Sequence, residues 1–401
     1  MDEAKKRRRT AAPAALHLPA MGMEAECALM LDDTPARPED VFGSPRDFIR
    51  GPLVHRQGKS YQLPIGSAVY FDTGVIEVAT PVVEIAPGCG ARATRLLWEG
   101  LQFLRRELDQ WDARTSHATR LVGFSAHYNV SFALPPGQPE NGRTLGQLAL
   151  LLAYILPAPV MLLAANRRST GVGVRPREDR IEITCDFTPD PALTMATATV
   201  IVAIVRAVMA WPSYALSQLA AQGVPIIGDF RPMPHTSRKG WLARFDCYAD
   251  NPFTCDVDRS AWPTRDHGLL SLRAIAGRTV QRFWRDVRRM ADPATAGLVA
   301  AAVRGPGASL LDLPDRPAAY EHVGRLCAWD AQAAAAGVDR SRYERVVLRA
   351  LSGQPLRRDG QALRPVGMRG WSAVVFRRED AQHEVIGLDA LLPQLEAWER
   401  E

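Results

Sequence analysis

The sequence predicts an α+β protein: an antiparallel sheet with helices, followed by a smaller, mostly helical C-terminal part. Three observations lead there. Segments up to Phe187 alternate apolar and polar residues with period two, as half-buried strands do. Between them leucines recur at helical spacing, and after Leu269 alanine-rich helical patterns dominate. A chain of 401 residues exceeds one typical core, so a large domain plus a smaller one is expected. Hydrophobic residues make up 47% and charged residues 23%, which places it among ordinary globular proteins rather than disordered ones.

The elements follow in order. Met21–Leu31 reads as a strand with Glu24 and Glu26 on one face and Met23, Ala25 and Cys27 on the other. Ser67–Ile85 reads as two strands, AVYFD and VIEVATPVVEI, broken at Thr73-Gly74. Ala93–Asp112 is helical, because Leu96, Leu97, Leu101, Leu104 and Leu108 share one face. Leu121–Phe132 alternates as a strand, and Leu145–Leu156 and Val160–Ala165 are apolar helices. A turn at Ser169–Val174 precedes a strand at Arg180–Phe187, and a long helix starts near Pro191. A loop-rich stretch runs to about Pro263, and helices with a turn at Gly305-Pro306-Gly307 fill Leu269–Leu351. A strand at Trp371–Arg378 and a helix from Leu388 close the chain. The domains expected are a basic, mobile tail at 1–18, a catalytic domain at 19–262 and a mostly helical domain at 263–401.

Several classes are excluded on composition and motif. The net charge of +5 is spread among mixed arginines and acids, and only the first ten residues form a basic run, read as a solvated tail rather than a nucleic-acid arm. No CxxC pair exists among the six cysteines, so zinc and redox motifs are not expected, and reduced thiols suit a cytoplasmic protein. Ala192 to Trp211 is the most apolar stretch, yet it carries threonines and Arg206, so it is read as a core helix and not a membrane span. No GxxxxGK[ST] exists, and GVGV is too short for a dinucleotide turn.

Glu24, Glu26, Glu77, His127, Asn129, Arg180 and Glu182 sit inside otherwise apolar strands, seven positions on four strands. A charge facing a core is costly unless paired or metal-bound, so a shared polar surface is expected. Carboxylates with one imidazole suit magnesium or manganese.

The segment from Ala158 to Met209, with its NRRS loop, RIE strand and helix of small residues, resembles the corresponding region of glutamine synthetases. GMEAE resembles their paired-glutamate strand and SAHYN their histidine strand. Within that superfamily the chain is most similar to the Pup ligase and depupylase branch, which opens with MGxExE and has a YVD-x-x-H-P-E block where this chain has YFDTGVIEVATPVVE. The likeness covers about residues 21–255 and implies a glutamine-synthetase-like antiparallel sheet. It implies Glu24, Glu26, Glu77, His127 and Glu182 as metal ligands, and Arg167, Arg168 and Arg180 as contacts to ATP phosphates. It also implies Asn129 in the carboxylate pocket and Asp72 as base or nucleophile. Glu84 lies two residues past the branch's second glutamate, and Val75-Ile76 replace its His-Pro pair. Thr184 stands where glutamine synthetases keep an arginine for the amino acid, so glutamine synthesis is not expected.

The resemblance implies ATP and Mg2+ (or Mn2+) as cofactors for a carboxylate–amine ligase working through an acyl phosphate. Its partners would be a peptide or small protein tag carboxylate and an amine acceptor, with no nucleic acid and no membrane. A depupylase-like hydrolase on the same site, or a non-catalytic nucleotide- or tag-binding paralogue, stays open at this stage.

Overall fold

Residues 16, 18–133, 143–235, 239–258, 262–305, 307 and 339–400 are described in the computed structural model. The basic tail is therefore outside the described residues except for Leu16 and Leu18, as are Pro306, Arg238 and most of the alanine-rich stretch before Asp339.

The first strand, β1 (Ala20–Leu31), shows how sequence becomes sheet. Met21, Met23, Ala25, Cys27 and Leu29 are every second residue, and each is at least 98% buried. The residues between them face the other way. Further strands follow: β2 (Thr34–Ala36), β3 (Val54–Gln57), β4 (Ser60–Gln62), β5 (Ala68–Asp72), β6 (Val75–Ala79), β7 (Val83–Glu84), β8 (Thr119–Ser131), β9 (Val172–Pro176), β10 (Arg180–Asp186), β11 (Met233–Pro234) and β12 (Trp241–Ala243). They form one antiparallel sheet in the order β11-β12-β9-β10-β8-β1-β6-β5-β4-β3, with β2 and β7 also paired to β1. The expected VIEVATPVVEI strand is divided in two. Strand β6 ends at Ala79 and β7 resumes at Val83, because Pro81 can donate nothing to a ladder and the Thr80 hydroxyl instead accepts the Met23 N–H at 2.9 Å.

Helices cover the apolar face of this sheet. Cys89–Thr115 is a few residues longer at each end than its leucine spacing indicates. It lies on the sheet so closely that a side chain at Gly100 would meet Val78 Cγ1 at 2.7 Å and Ser67 Oγ at 3.0 Å. Pro191–Met209 starts at a proline suited to the first helical turn, and the Asp190 carboxylate accepts from the N–H groups of Ala192 and Leu193. The helix is long and apolar enough to cross a membrane, yet it is packed within the core. Its threonines are accommodated by bonding back along the helix, Thr197 Oγ1 to the Leu193 carbonyl at 2.7 Å and Thr194 Oγ1 to that of Asp190 at 2.9 Å. Leu145–Ile155 opens on a capping box between Thr144 and Gln147, and Pro157 starts the next helix, Pro157–Ala164.

Beyond a small hairpin of β13 (Trp262–Thr264) and β14 (Gly268–Leu270), the helices Leu272–Arg282, Trp284–Met290 and Pro293–Arg304 bury their apolar faces in the same cluster as the large sheet. The sequence groups them with the C-terminal part, but their packing joins them to the first core. A second apolar cluster gathers Ala20, Tyr343, Val346, Phe376, Ile386, Leu391 and Trp398. Its sheet has four antiparallel strands: β15 (Leu356–Arg358), β16 (Gln361–Arg369), β17 (Ala373–Arg377) and β18 (His383–Gly387). Sequence periodicity reveals only the one around β17. Arginines, a proline and a glycine interrupt the alternation in β15 and β16, and β18 is largely solvent-facing.

Several contacts join the clusters. Arg95 donates to both carboxylate oxygens of the buried Glu344, at 2.9 and 2.8 Å. Strand β16 approaches β3 so closely that a side chain at Gly367 would lie 3.0 Å from the His55 carbonyl oxygen. Glu84, the last residue of the YFDTGVIEVATPVVE block, faces this junction, where it accepts the Tyr343 N–H at 3.2 Å.

Candidate functional site

Strand register assembles the polar face. Glu24 lies opposite His127, Glu26 opposite Glu77 and Ser125, and Glu77 opposite Tyr70. His127 is opposite Thr184, and Asn129 opposite Glu182, which in turn faces Arg175. Residues directly opposite in antiparallel strands share a face. The polar residues of six adjacent strands, β5, β6, β1, β8, β10 and β9, therefore form one floor, with the apolar residues of the same strands in the core beneath.

A cavity of about 460 Å³ stands on that floor. Its lining includes Glu24, Glu26, Glu77, His127, Glu182, Arg180 and Asp72, all expected from the sequence. It also includes Arg56, Tyr70, Arg175, Arg177 and Trp371. Asn129 lines a smaller adjoining cavity of about 190 Å³ and accepts from Arg180 Nε at 2.9 Å. Arg167 and Arg168 are exposed on the loop after Asn166 and line neither cavity.

Among the described residues one acidic and imidazole group is close enough to hold a metal. Glu24, Glu77 and His127 each present a ligand atom, all within 4.8 Å of one another. Two carboxylates and an imidazole fit a magnesium or manganese ion. Glu26 leans toward His127, with 3.6 Å between its oxygen and Nε2, and it accepts the Ser125 hydroxyl. Glu182 is held differently. Arg177 donates to both its oxygens at 2.8 to 3.0 Å, and Arg175 pairs with it as well.

The electrostatics match this division. Burial works against ionisation of Glu24, but His127 at 3.3 Å and the charge of Arg180 outweigh it, and its carboxyl stays below the ordinary value. Glu77 goes the other way: burial, then the adjacent charge of Glu24, pushes it up to about 9. Burial, with the charges of Glu24 and Glu77, likewise pushes the Tyr70 phenol far up. Two neighbouring carboxyls held apart in this way retain a proton that a divalent ion would displace.

Sequence reasoning missed Arg56 and Trp371 as members of the site. Arg56 lies in a four-residue strand without clear alternation, and Trp371 belongs to the other end of the chain. Arg175 and Arg177 lie just before the RIE strand in the sequence. Their partner Glu182 emerges only from the fold.

The chain matches no protein-family model and no curated protein. Among solved structures it is similar to one described as the crystal structure of the complex between Prokaryotic Ubiquitin-like Protein Pup and its Ligase PafA. The identity is 10% and the TM-score 0.48, over 96% of this chain and 94% of that one.

Proposed function

We propose that this chain is an ATP- and magnesium-dependent ligase joining a peptide or protein carboxylate to an amine through an acyl phosphate. The reading is carried by one observation: a three-donor metal group on the floor of a cavity that Arg56, Arg175, Arg177 and Arg180 also line. Glu24, Glu77 and His127 would hold the ion, whose contribution is to neutralise charge on the phosphates. The arginines offer planar donor edges that suit phosphate and carboxylate oxygens. Arg177 and Arg175 hold Glu182 meanwhile, so in this reading Glu182 keeps the guanidinium groups in place. Asp72, on the cavity wall with the Thr73 hydroxyl bonded to it at 2.9 Å, would take the proton of the attacking amine.

The same carboxylate could instead attack an amide, which makes a depupylase-like hydrolase the second reading. The partners in either reading are a small protein tag and an amine acceptor, without nucleic acid or membrane, in the cytoplasm. With ATP, magnesium and a tag carrying a carboxylate, we expect ADP in step with amide formed. Tag cleavage without stoichiometric ADP would assign the hydrolase, and neither activity would leave a binding protein. Because Thr184 lacks the charge and reach of an arginine, free glutamate and ammonia should give negligible product; steady glutamine synthesis would refute the peptide-carboxylate reading.

A further inference from the structure

We propose that Arg56 is an oxyanion-binding residue of the large cavity and that Trp371 positions it, so that the C-terminal sheet completes the site. Arg56 sits on β3, at one edge of the large sheet, and Trp371 in the turn between β16 and β17. Both line the cavity. The guanidinium carbon lies over the indole ring, 3.3 Å from its centre, a cation–π contact. Arg56 Nε donates to the Gly370 carbonyl at 3.0 Å, and Nη1 to the Ser60 hydroxyl at 3.4 Å. Among the described residues these bonds go to a carbonyl and a hydroxyl, and no carboxylate forms an ion pair with Arg56. A half-buried guanidinium lying over an aromatic ring and lining a polar cavity is arranged to receive a planar or tetrahedral oxyanion.

The approach that makes this contact is built into the backbone. At Gly367 strand β16 comes so near His55, the neighbour of Arg56, that a Cβ would crowd the His55 carbonyl at 3.0 Å. The C-terminal sheet is thus seated against the residue it positions. Burial lowers Arg56 to about 10, and the nearby Tyr70, Glu24 and Glu77 oppose that shift, so the group stays cationic at neutral pH.

The inference deepens the ligase reading, whose phosphates and carboxylates are both oxyanions, but its test needs no turnover. Calorimetry on the full chain would use inorganic tripolyphosphate and, separately, glutarate, each in magnesium and in EDTA. Arg56→Ala should weaken at least one anion about tenfold, and the anion affected tells phosphate from carboxylate. Trp371→Ala should weaken the same anion to a similar extent, while Trp371→Phe, which restores a ring to stack on, keeps affinity within about threefold of the parent. In an Arg56→Ala background Trp371→Ala should add no further loss of anion affinity, because its effect runs through the arginine. Arg56→Lys, which keeps charge without the planar edge, replaces Arg56→Ala if the latter does not fold, with melting temperature as the check. Unchanged affinity for both anions on replacing Arg56 would overturn the proposal, as would equal loss in folded Trp371→Phe and Trp371→Ala. Failure to release ADP, with these anion effects intact, would refute the ligase reading alone.

Discussion

Asp72 closes β5 beside a two-residue turn, with its carboxylate at the cavity and the Thr73 hydroxyl bonded to it. A proton acceptor at this position predicts that Asp72→Asn keeps ATP binding and lowers turnover about a hundredfold. Single-turnover kinetics on the variant check it, and an unchanged rate removes Asp72 from the chemistry. Glu77 makes a second residue-level prediction, this one for the metal-free protein. Its folded value of about 9 lies above the ordinary carboxyl value of 4.5, so it favours the folded state most at low pH. That contribution fades as pH rises through the interval between the two values. Glu24, shifted downward, acts only at acid pH and leaves this window to Glu77. Melting in EDTA at about pH 5.5 and about pH 8.5 should show the parent losing stability with rising pH. Glu77→Gln, which fixes the neutral form, should flatten that dependence; equal slopes in the two proteins would contradict the assignment.

At the scale of elements, the helix Cys89–Thr115 rests on the strands that carry the site. Gly100→Ala gains about 1 kcal/mol of helix propensity but drives a methyl group into Val78 and Ser67, where overpacking costs about 1–3 kcal/mol. Overpacking wins, and a lower urea midpoint is expected. Because Val78 is the neighbour of Glu77 on β6, magnesium affinity should fall in the same variant; unchanged values of both would show that the contact relaxes freely. The strands themselves were legible wherever alternation was long enough to set a period. Glu24, Glu26, Glu77, His127, Asn129 and Glu182 could each be placed on a polar face by counting in twos, and the structure puts them on one floor. The short strands β3 and β4 left no such trace, and Arg56 went unseen with them. Its partner Trp371 is more than 300 positions away along the chain, a contact that no local pattern encodes. Arg167 and Arg168, adjacent to a resembling motif, turn out on an exposed loop, because motif proximity says nothing about which way a turn delivers its side chains.

For the whole molecule, Glu344 stands out among the polar contacts that join the two apolar clusters. Its side chain is 1% exposed and paired twice with Arg95, while the same residue closes the capping box with Ser341. Replacing one partner of a buried pair leaves the other uncompensated, at a cost of about 3–5 kcal/mol. Glu99, 3.2 Å from Arg95, softens that loss, so Glu344→Gln should cost about 3 kcal/mol. Denaturant unfolding followed by tryptophan fluorescence measures it, and an unshifted midpoint would show that the clusters do not depend on this pair. The alternation of β1 carries a different consequence, one for how such a protein can vary over time. The strand writes two messages in a single reading frame, one for the floor and one for the core. Substitution can edit either message and leave the other intact, so the chemistry of the floor can drift while Met23, Ala25 and Cys27 stay as they are. Inserting or deleting a single residue would exchange the two, sending Glu24 and Glu26 into the interior and lifting Met23 and Ala25 toward the cavity. Natural descendants of this chain should therefore differ in length at the connections between strands and keep the spacing within β1 unchanged.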